Sequence, residues 1–328
     1  MSTPQNKICR LCGSNGVRKL CSFDPYTDLE LKYEVFICAS CKARYCFSKE
    51  IAENKKKLHS QRHSPYQSQY DLAMFYKEFM KIDINKTLFL LRKSPLIDKV
   101  FRYIELSSKE DLRILEVGCS TGYITALLNQ IGCKSFGIDI SEEPINFAKS
   151  HFGDYYGQKE QKNIKYDLIF FKGVIGCVDN PRKFLKKYLN LLSDSGVMLF
   201  NAPDVDSVNE TGEIWVDSPP PDVNFLFKSA SFEVILDKKN YVIETQKYTE
   251  GLYILKRNIN NLIGKKNNLY PRNFFSEEVI YRQGKSSFKI FIKDILGYFG
   301  LLFAKLKLIK TYSSEYGLII KIERRFIK

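Results

Sequence analysis

Arg113-Ile114-Leu115-Glu116-Val117-Gly118-Cys119-Ser120-Thr121-Gly122, followed by Gly137-Ile138-Asp139-Ile140, is the stretch that decides the fold. Ile114 to Val117 is a short apolar run suited to a buried parallel strand. Gly118 and Gly122 then permit a tight turn and a close approach of backbone to a ligand. Tyr123 to Ile131 reads as the helix that follows. A second apolar strand, Ser135 to Ile140, carries Asp139 near its end, 21 positions beyond Gly118. That is about where nucleotide-binding folds place an acid to accept hydrogen bonds from ribose hydroxyls.

The turn is not a full G-x-G-x-x-G, because Ser120 stands at the middle glycine and the helix begins at once, without room for a pyrophosphate. That argues against NAD. At these residues the chain resembles the class I S-adenosylmethionine-dependent methyltransferases, whose first motif, acid-x-Gly-x-Gly-x-Gly, is matched by Glu116, Gly118, Ser120 and Gly122. The resemblance implies that Glu116, Gly118, Cys119, Ser120 and Gly122 pass the methionine part of S-adenosylmethionine, and that Asp139, with Ile140 beside it, holds the ribose. A glycine turn of this kind can also serve another nucleotide, or none.

Downstream the βα alternation continues. Glu142 to His151 reads as a helix, Tyr166 to Phe171 as a buried strand, and Pro181 to Leu192 as a helix with Asp179 or Asn180 as its N-cap and Pro181 at its first position. Gly196 to Asn201 is the next strand, then a helix near Ser229 to Lys238, a strand at Tyr241 to Gln246 and a last strand at Tyr316 to Glu323. The order predicts an α/β fold: a doubly wound, Rossmann-like sheet. The resemblance implies that its final two strands form an antiparallel edge. Ahead of the sheet, Phe75 to Leu91 and Leu96 to Leu106 read as helices, which either cap the cofactor pocket, as the resemblance implies, or simply pack on the sheet.

Cys9-Arg10-Leu11-Cys12 and Cys38-Ala39-Ser40-Cys41 are two C-x-x-C pairs separated by 25 residues. Two such turns supply the four thiolates of a closed, structural Zn2+ site, with Cys21 and Cys46 as spare thiols nearby. The ribbon either replaces a core too small to fold unaided or also docks substrate or nucleic acid. The boundaries expected are a zinc ribbon over residues 1–50, a polar connector and capping helices over 51–110, and the main domain over 111–328 with a helical insertion at about 250–312. Ribbon and sheet together resemble bacterial zinc-ribbon methyltransferases, which implies a sugar or cell-surface glycan as acceptor.

The chain has 328 residues, 44% of them hydrophobic, enough for a large domain and a smaller companion. There is no apolar run of about 18 residues, and Met1 to Lys7 is polar, so the expectation is a cytoplasmic protein without a spanning helix or secretory signal. Nine cysteines then read as metal ligands and core thiols rather than disulfides.

A general base is harder to find. The resemblance implies an acid and a histidine after the fourth strand and a second histidine further on; here those segments read Gly176-Cys177-Val178-Asp179-Asn180-Pro181 and Pro220-Pro221-Asp222-Val223-Asn224-Phe225. His59 and His63 lie in the connector and His151 ends a helix. Methyl transfer is an in-line displacement, so alignment supplies much of the acceleration and a carboxylate can serve where the acceptor loses a proton. The loop from Asn201 to Asp222 follows a strand's C-terminal end, where open α/β sheets place ligands. Asp204 and Asp222 are its first candidates, with Asp206, Glu213 and Asp217 behind them and Trp215 as a ring that could stack on an acceptor.

A formal charge of +14 favours anionic partners: a phosphorylated small molecule, an acidic lipid surface or RNA. Phe288 to Lys310 mixes apolar residues with lysines and suggests a basic amphipathic helix, either lying on an anionic membrane or packed on the sheet. An RNA methyltransferase and a non-catalytic protein retaining the fold are the competing readings.

Overall fold

The computed structural model describes residues 8–25, 32–47, 67–107, 111–216, 218–220, 222–236, 240–264, 287–311 and 317–325. His59, His63 and Asp217 lie outside these residues.

The chain begins with a small antiparallel sheet of β1 (Val17–Phe23), β2 (Tyr33–Cys38) and β3 (Arg44–Phe47). Three helices follow: α1 (Gln67–Ile82), α2 (Ile84–Leu91) and α3 (Pro95–Leu106). The expected single helix through Leu91 is two, broken at Asp83, whose side chain caps α2 by accepting the Lys86 N–H at 3.0 Å.

The main sheet is then laid down as β4 (Arg113–Val117), α4 (Tyr123–Gln130), β5 (Lys134–Ile138), α5 (Glu142–Phe152), β6 (Tyr156–Gly157), β7 (Tyr166–Phe171), α6 (Pro181–Leu189) and β8 (Leu192–Ala202). After β8 come α7 (Val205–Thr211), β9 (Phe225–Leu226), α8 (Ser229–Ile235), β10 (Tyr241–Lys247), α9 (Gly251–Leu262), α10 (Ser287–Lys305) and β11 (Leu318–Arg324). Of the two candidate caps for α6, Asn180 is the one that accepts the Lys183 N–H, with Pro181 at the first helical position.

The seven strands are ordered β10-β11-β8-β7-β4-β5-β6. All neighbours from β8 to β6 pair in parallel, and β11 enters antiparallel between β8 and β10. This is the α/β Rossmann-like methyltransferase fold. Both faces of the sheet are covered, so its strands are nearly continuous apolar runs; all six residues of β7 are buried. One face packs Ile114, Leu168, Phe170 and Leu199 against α1 to α4; the other packs Leu115, Ile169, Met198 and Phe200 against α6 and α8.

The ribbon shares that second core. Its sheet is completed by β9, which pairs antiparallel with β3 through Tyr45 with Phe225 and Arg44 with Leu226. Leu11, Phe36 and Tyr45 continue into Phe225, Phe227 and Phe232. On the outer side Phe23, Tyr33 and Val35 enclose Val205, Val208 and Trp215. The described residues of the segment 204–227 are thereby held between the ribbon and the edge of the main sheet.

Candidate functional site

The sheet reverses its winding at β4, which has β5 on one side and β7 on the other. Ligands of doubly wound sheets sit in the crevice outside the carboxyl ends of such strands. The turn leaving β4 is built for close approach. Gly118, Ser120 and Gly122 have φ of +76°, +48° and +81°. A Cβ on Gly118 would lie 2.6 Å from Val174 Cγ2, and one on Gly122 2.5 Å from the Tyr156 ring and 2.8 Å from Ala148 Cβ. Real Cβ atoms do not come so near, so glycine is required at both places. The N–H groups of Gly118 and Cys119 both bond to the Ile138 carbonyl, at 2.7 and 3.0 Å, which ties the turn to the end of β5.

Asp139 follows β5 directly. Its Oδ2 accepts the Ser120 N–H at 3.0 Å and its Oδ1 the Ser141 N–H at 2.9 Å. A carboxylate has about four lone-pair sites, so two such bonds leave acceptor capacity for hydroxyls. Ile140, the next residue, is an apolar side chain left 82% exposed, open for a flat ring to lie on it. Glu116, at the other side of the turn, is buried and accepts from Thr125 Oγ1 at 2.6 Å. Burial pushes its carboxyl up to about 8, against the hydrogen bond from Thr125. A cation placed beside it would restore its charge, so the site fits a positively charged ligand. Cys119 is buried, and burial raises its thiol well above its ordinary range, which makes it a packing residue in the turn.

Helix α1 closes over this turn. Ser120 Oγ donates to Gln69 Oε1 at 2.9 Å, the Tyr70 hydroxyl donates to Glu143 Oε1 at 2.8 Å, and the Tyr70 ring meets Phe147 edge to face at 4.7 Å. Further along, Tyr76 stacks on Tyr123 at 4.9 Å. Of the two expectations for the leading helices, covering the turn and packing on the sheet, α1 does both. Gln69 and Tyr70 are not legible as site residues, because the helical pattern reads only from Phe75; Leu72 and Ala73, apolar four and three positions before Tyr76, are the signal that extends it.

The loop leaving β7 faces the turn across the crevice. Lys172 stands at its start, in contact with solvent yet surrounded by protein atoms. Crowding by protein atoms lowers its ammonium pKa, and so does Lys93, while Glu250 and Glu116 work the other way. The Gly173 N–H donates to Asn201 Oδ1 at 2.7 Å, and Asn201 Nδ2 donates to the Tyr248 hydroxyl at 3.1 Å, so one buried amide joins the ends of β7, β8 and β10. Position alone could have pointed to Lys172: it is the first residue after a central parallel strand.

Beyond β8 the acidic loop is largely engaged. Asp204 is fully buried and caps α7, Oδ1 accepting the Asp206 N–H at 3.0 Å, with Lys247 Nζ at 3.8 Å from Oδ2. Burial raises its carboxyl above the ordinary range. Burial works against the charge of Asp206 too, but hydrogen bonds from Lys228 and Lys247 hold it below that range. Asp222 is half-buried at the far end of the loop. Trp215, read from the sequence as a stacking ring, is fully buried, donates Nε1–H to the Val223 carbonyl at 3.0 Å and packs near Phe23 of the ribbon. It pins the loop and offers no surface to an acceptor. His151 stacks on Phe147 at 4.1 Å at the end of α5.

In the ribbon, the four sulfurs of Cys9, Cys12, Cys38 and Cys41 lie within 4.8 Å of one another. Cys9 and Cys41, and Cys12 and Cys38, are each 3.7 Å apart. A tetrahedron of Zn–S bonds of about 2.3 Å has edges of about 3.8 Å, so the cluster has the size of a zinc site. Each turn ends in a left-handed residue, Gly13 at φ +79° and Lys42 at φ +60°, which closes the Gly13 N–H on Cys9 O and the Lys42 N–H on Cys38 O. The hydrogen bond shared by Cys9 and Cys41 lowers the one thiol and raises the other, as two sulfurs sharing a proton do.

Residues 90–246 match a family model described as a methyltransferase domain, a span that runs from the end of α2 to β10 and includes the whole crevice. Over 149 residues the chain is 28% identical to the "Putative methyltransferase YqeM" of Bacillus subtilis, covering 40% of this chain and 59% of that protein. Over 171 residues it is 27% identical to the "Malonyl-[acyl-carrier protein] O-methyltransferase 2" of Ilyobacter polytropus, covering 48% and 65%. The chain thus spans less than two thirds of the length of either relative. Among solved structures it is similar to the plantazolicin methyltransferase BpumL in complex with SAH, at 16% identity and TM-score 0.41, covering 84% of this chain and 98% of that one.

Proposed function

We propose that this chain is an S-adenosylmethionine-dependent methyltransferase whose cofactor lies in the crevice between the β4 turn and the β7 loop. The observation that carries the reading is the Asp139 carboxylate: it is bonded to the Ser120 N–H of the glycine turn and has acceptor sites left over, so turn and acid present one continuous surface. The match of residues 90–246 to a methyltransferase-domain model supports it. Asp139 would accept from both ribose hydroxyls and Ile140 would cover one face of the adenine. Gly118, Cys119, Ser120 and Gly122 would pass the methionine portion, and Glu116, recharged by the ligand's cationic end, would hold it. Bound there, S-adenosylmethionine supplies a methyl group on a sulfonium, open to in-line attack by an oxygen or nitrogen. The chain's part is to align the acceptor, to exclude water under α1, and to take any proton the acceptor loses.

The acceptor is read as a small hydroxylated molecule, a sugar or cell-surface glycan, the class implied by the resemblance to zinc-ribbon methyltransferases. The loop of residues 203–227 beside the crevice is its proposed seat. Asp222 is the carboxylate of that loop proposed to meet the acceptor directly. Asp204, fully buried and capping α7, enters as a positioning residue that fixes the loop through Asp206 and Lys247. The four cysteines are read as ligands of a structural Zn2+, which would lock the ribbon without touching the chemistry.

Calorimetric titration of the zinc-loaded protein with S-adenosylmethionine and with S-adenosylhomocysteine tests the reading, followed by a screen of sugars, nucleotide sugars and RNA for release of S-adenosylhomocysteine. Saturable binding of both ligands is expected. Absence of any binding would remove the methyltransferase reading and leave a non-catalytic protein of this fold.

A further inference from the structure

The helical insertion between β10 and β11 departs from the site's own edge of the sheet. Lys247, the last residue of β10, pairs with Leu318, which pairs in turn with Ala202 at the end of β8. From there α9 and α10 meet backbone to backbone: a Cβ on Gly251 would lie 1.8 Å from the Gly297 carbonyl oxygen, and one on Gly300 1.9 Å from that of Gly251. Seven positions on, the Asn258 side chain exchanges two hydrogen bonds with the Lys310 backbone, at 2.8 and 3.2 Å. The two helices therefore run side by side in one direction and finish together. Tyr298 anchors the pair to the body by stacking on Phe89 at 5.6 Å and bonding to its carbonyl.

The opposite side of the pair is apolar and open. Ile292, Ile295, Leu296, Phe299, Leu302 and Leu306 follow helical spacing along α10 and its final turn, and every one is more than a third exposed. Where the helices finish, α9 adds Leu262 at 85% and Ile263 at 66% exposure. Such a patch on a soluble surface marks an interaction site. Its chemistry points to one kind of partner. Residues 251–264 and 287–311 carry seven Lys and Arg, Lys305, Lys307 and Lys310 among them, against a single acid, Asp294. An apolar stripe edged by mainly positive charge suits the interface of an anionic bilayer, where side chains enter the acyl boundary and lysines stay among headgroups. The same excess of positive charge works against a second copy, because a two-fold contact would set mostly like charges against each other. No helix among the described residues is long and apolar enough to cross a membrane, so the pair would lie on the surface.

We propose that α9 and α10 form a docking surface for an anionic lipid bilayer, bringing the open end of the crevice to the membrane. Its consequence for substrate, an acceptor carried on a lipid, rests on the methyl-transfer reading; the docking itself does not. The test is co-sedimentation of the full-length, zinc-loaded protein with vesicles of phosphatidylcholine alone and of phosphatidylcholine with about one third phosphatidylglycerol. Binding to the anionic vesicles only is expected, falling severalfold between about 50 and about 500 mM salt. Leu302→Gln with Leu306→Gln weakens partition at least about tenfold, while the thermal midpoint and S-adenosylmethionine titration stay as in the wild type. Lys305→Gln with Lys307→Gln does so at low salt only. No wild-type binding to anionic vesicles, or equal binding by the leucine variant, overturns the proposal. So does a dimer in light scattering that the leucine variant dissociates in the absence of vesicle binding. Vesicle binding by a protein that does not bind S-adenosylmethionine would instead sink the methyl-transfer reading and leave the docking intact.

Discussion

Replacing Asp139 by alanine removes two kinds of bond at once, and they are separable. In the protein without ligand the carboxylate accepts the N–H groups of Ser120 at 3.0 Å and Ser141 at 2.9 Å. Ser120 sits at φ +48°, a conformation that a side-chain-bearing residue keeps only when its surroundings enforce it. A hydrogen bond to a charged acceptor contributes about 1.5–3 kcal/mol when buried; Asp139 is half-buried, so water recovers part and about 1 kcal/mol per bond remains. For a chain of 328 residues the loss of about 2 kcal/mol lowers the thermal midpoint by roughly 3 °C. With ligand bound, two ribose hydroxyls on the same, now covered, carboxylate add about 1.5 kcal/mol each, so Kd rises about a hundredfold. Asp139→Asn keeps one acceptor oxygen without the charge, and both effects fall between wild type and alanine. Calorimetric titration reads the second effect, and thermal unfolding without ligand reads the first. If Kd for Asp139→Ala stays within about threefold of wild type while the midpoint falls, the carboxylate only ties the turn and the ribose role is refuted. An unchanged midpoint refutes the turn role instead.

Three further outcomes follow from the geometry. Gly122→Ala meets both a left-handed backbone and the Tyr156 and Ala148 side chains, so it costs about 2–4 kcal/mol, whereas Gly132→Ala, at φ +97° with nothing within 4 Å, costs about 1 kcal/mol; urea midpoints measure the difference. If the four cysteines hold the proposed Zn2+, chelating it, or Cys38→Ser, lowers stability by at least about 3 kcal/mol and raises amide hydrogen exchange through residues 203–227, since those residues are packed on the ribbon. Glu116 has its carboxyl raised from 4.5 to about 8, so the folded state holds its proton longer than the unfolded state does. Stability therefore declines as pH rises through that window, by up to about 1.4 kcal/mol per pH unit, and Glu116→Gln flattens the decline in urea titrations at several pH values.

How much of this was legible in the sequence depended on distance along the chain. The β4 turn, Asp139 and the two cysteine pairs announce themselves because each is set by residues within a few positions of one another, and a glycine at positive φ or a C-x-x-C has few other meanings. Asn180 and Pro181 predict the start of α6 for the same reason. β6 and β9, two residues each, are too short to carry a period and exist only through their partners. Trp215 read as exposed because it lies in an acidic, proline-rich loop; its burial comes from Phe23 and neighbouring ribbon residues some 190 positions earlier. Lys172 and Asn201 are ordinary residues in sequence, and only the convergence of strand ends gives them neighbours.

The fourth strand of the ribbon also bears on the order in which the molecule can be made. Tyr45 and Phe225, which pair across β3 and β9, are about 180 positions apart. The cysteines leave the ribosome well before β9, and each of their knuckles is local enough to form at once. Their sheet, however, keeps an open edge at β3 until residues 225 and 226 have been synthesised, by which time most of the main sheet has emerged. A nascent chain passes through a stage with β3 unpaired, the kind of edge that invites pairing with another chain. Separating the two modules at about residue 50 would make that stage permanent: the ribbon would lose its last strand and the main domain the cover over Trp215. The division that the sequence suggests is therefore a boundary in the reading of the chain and not a line along which the molecule can be cut.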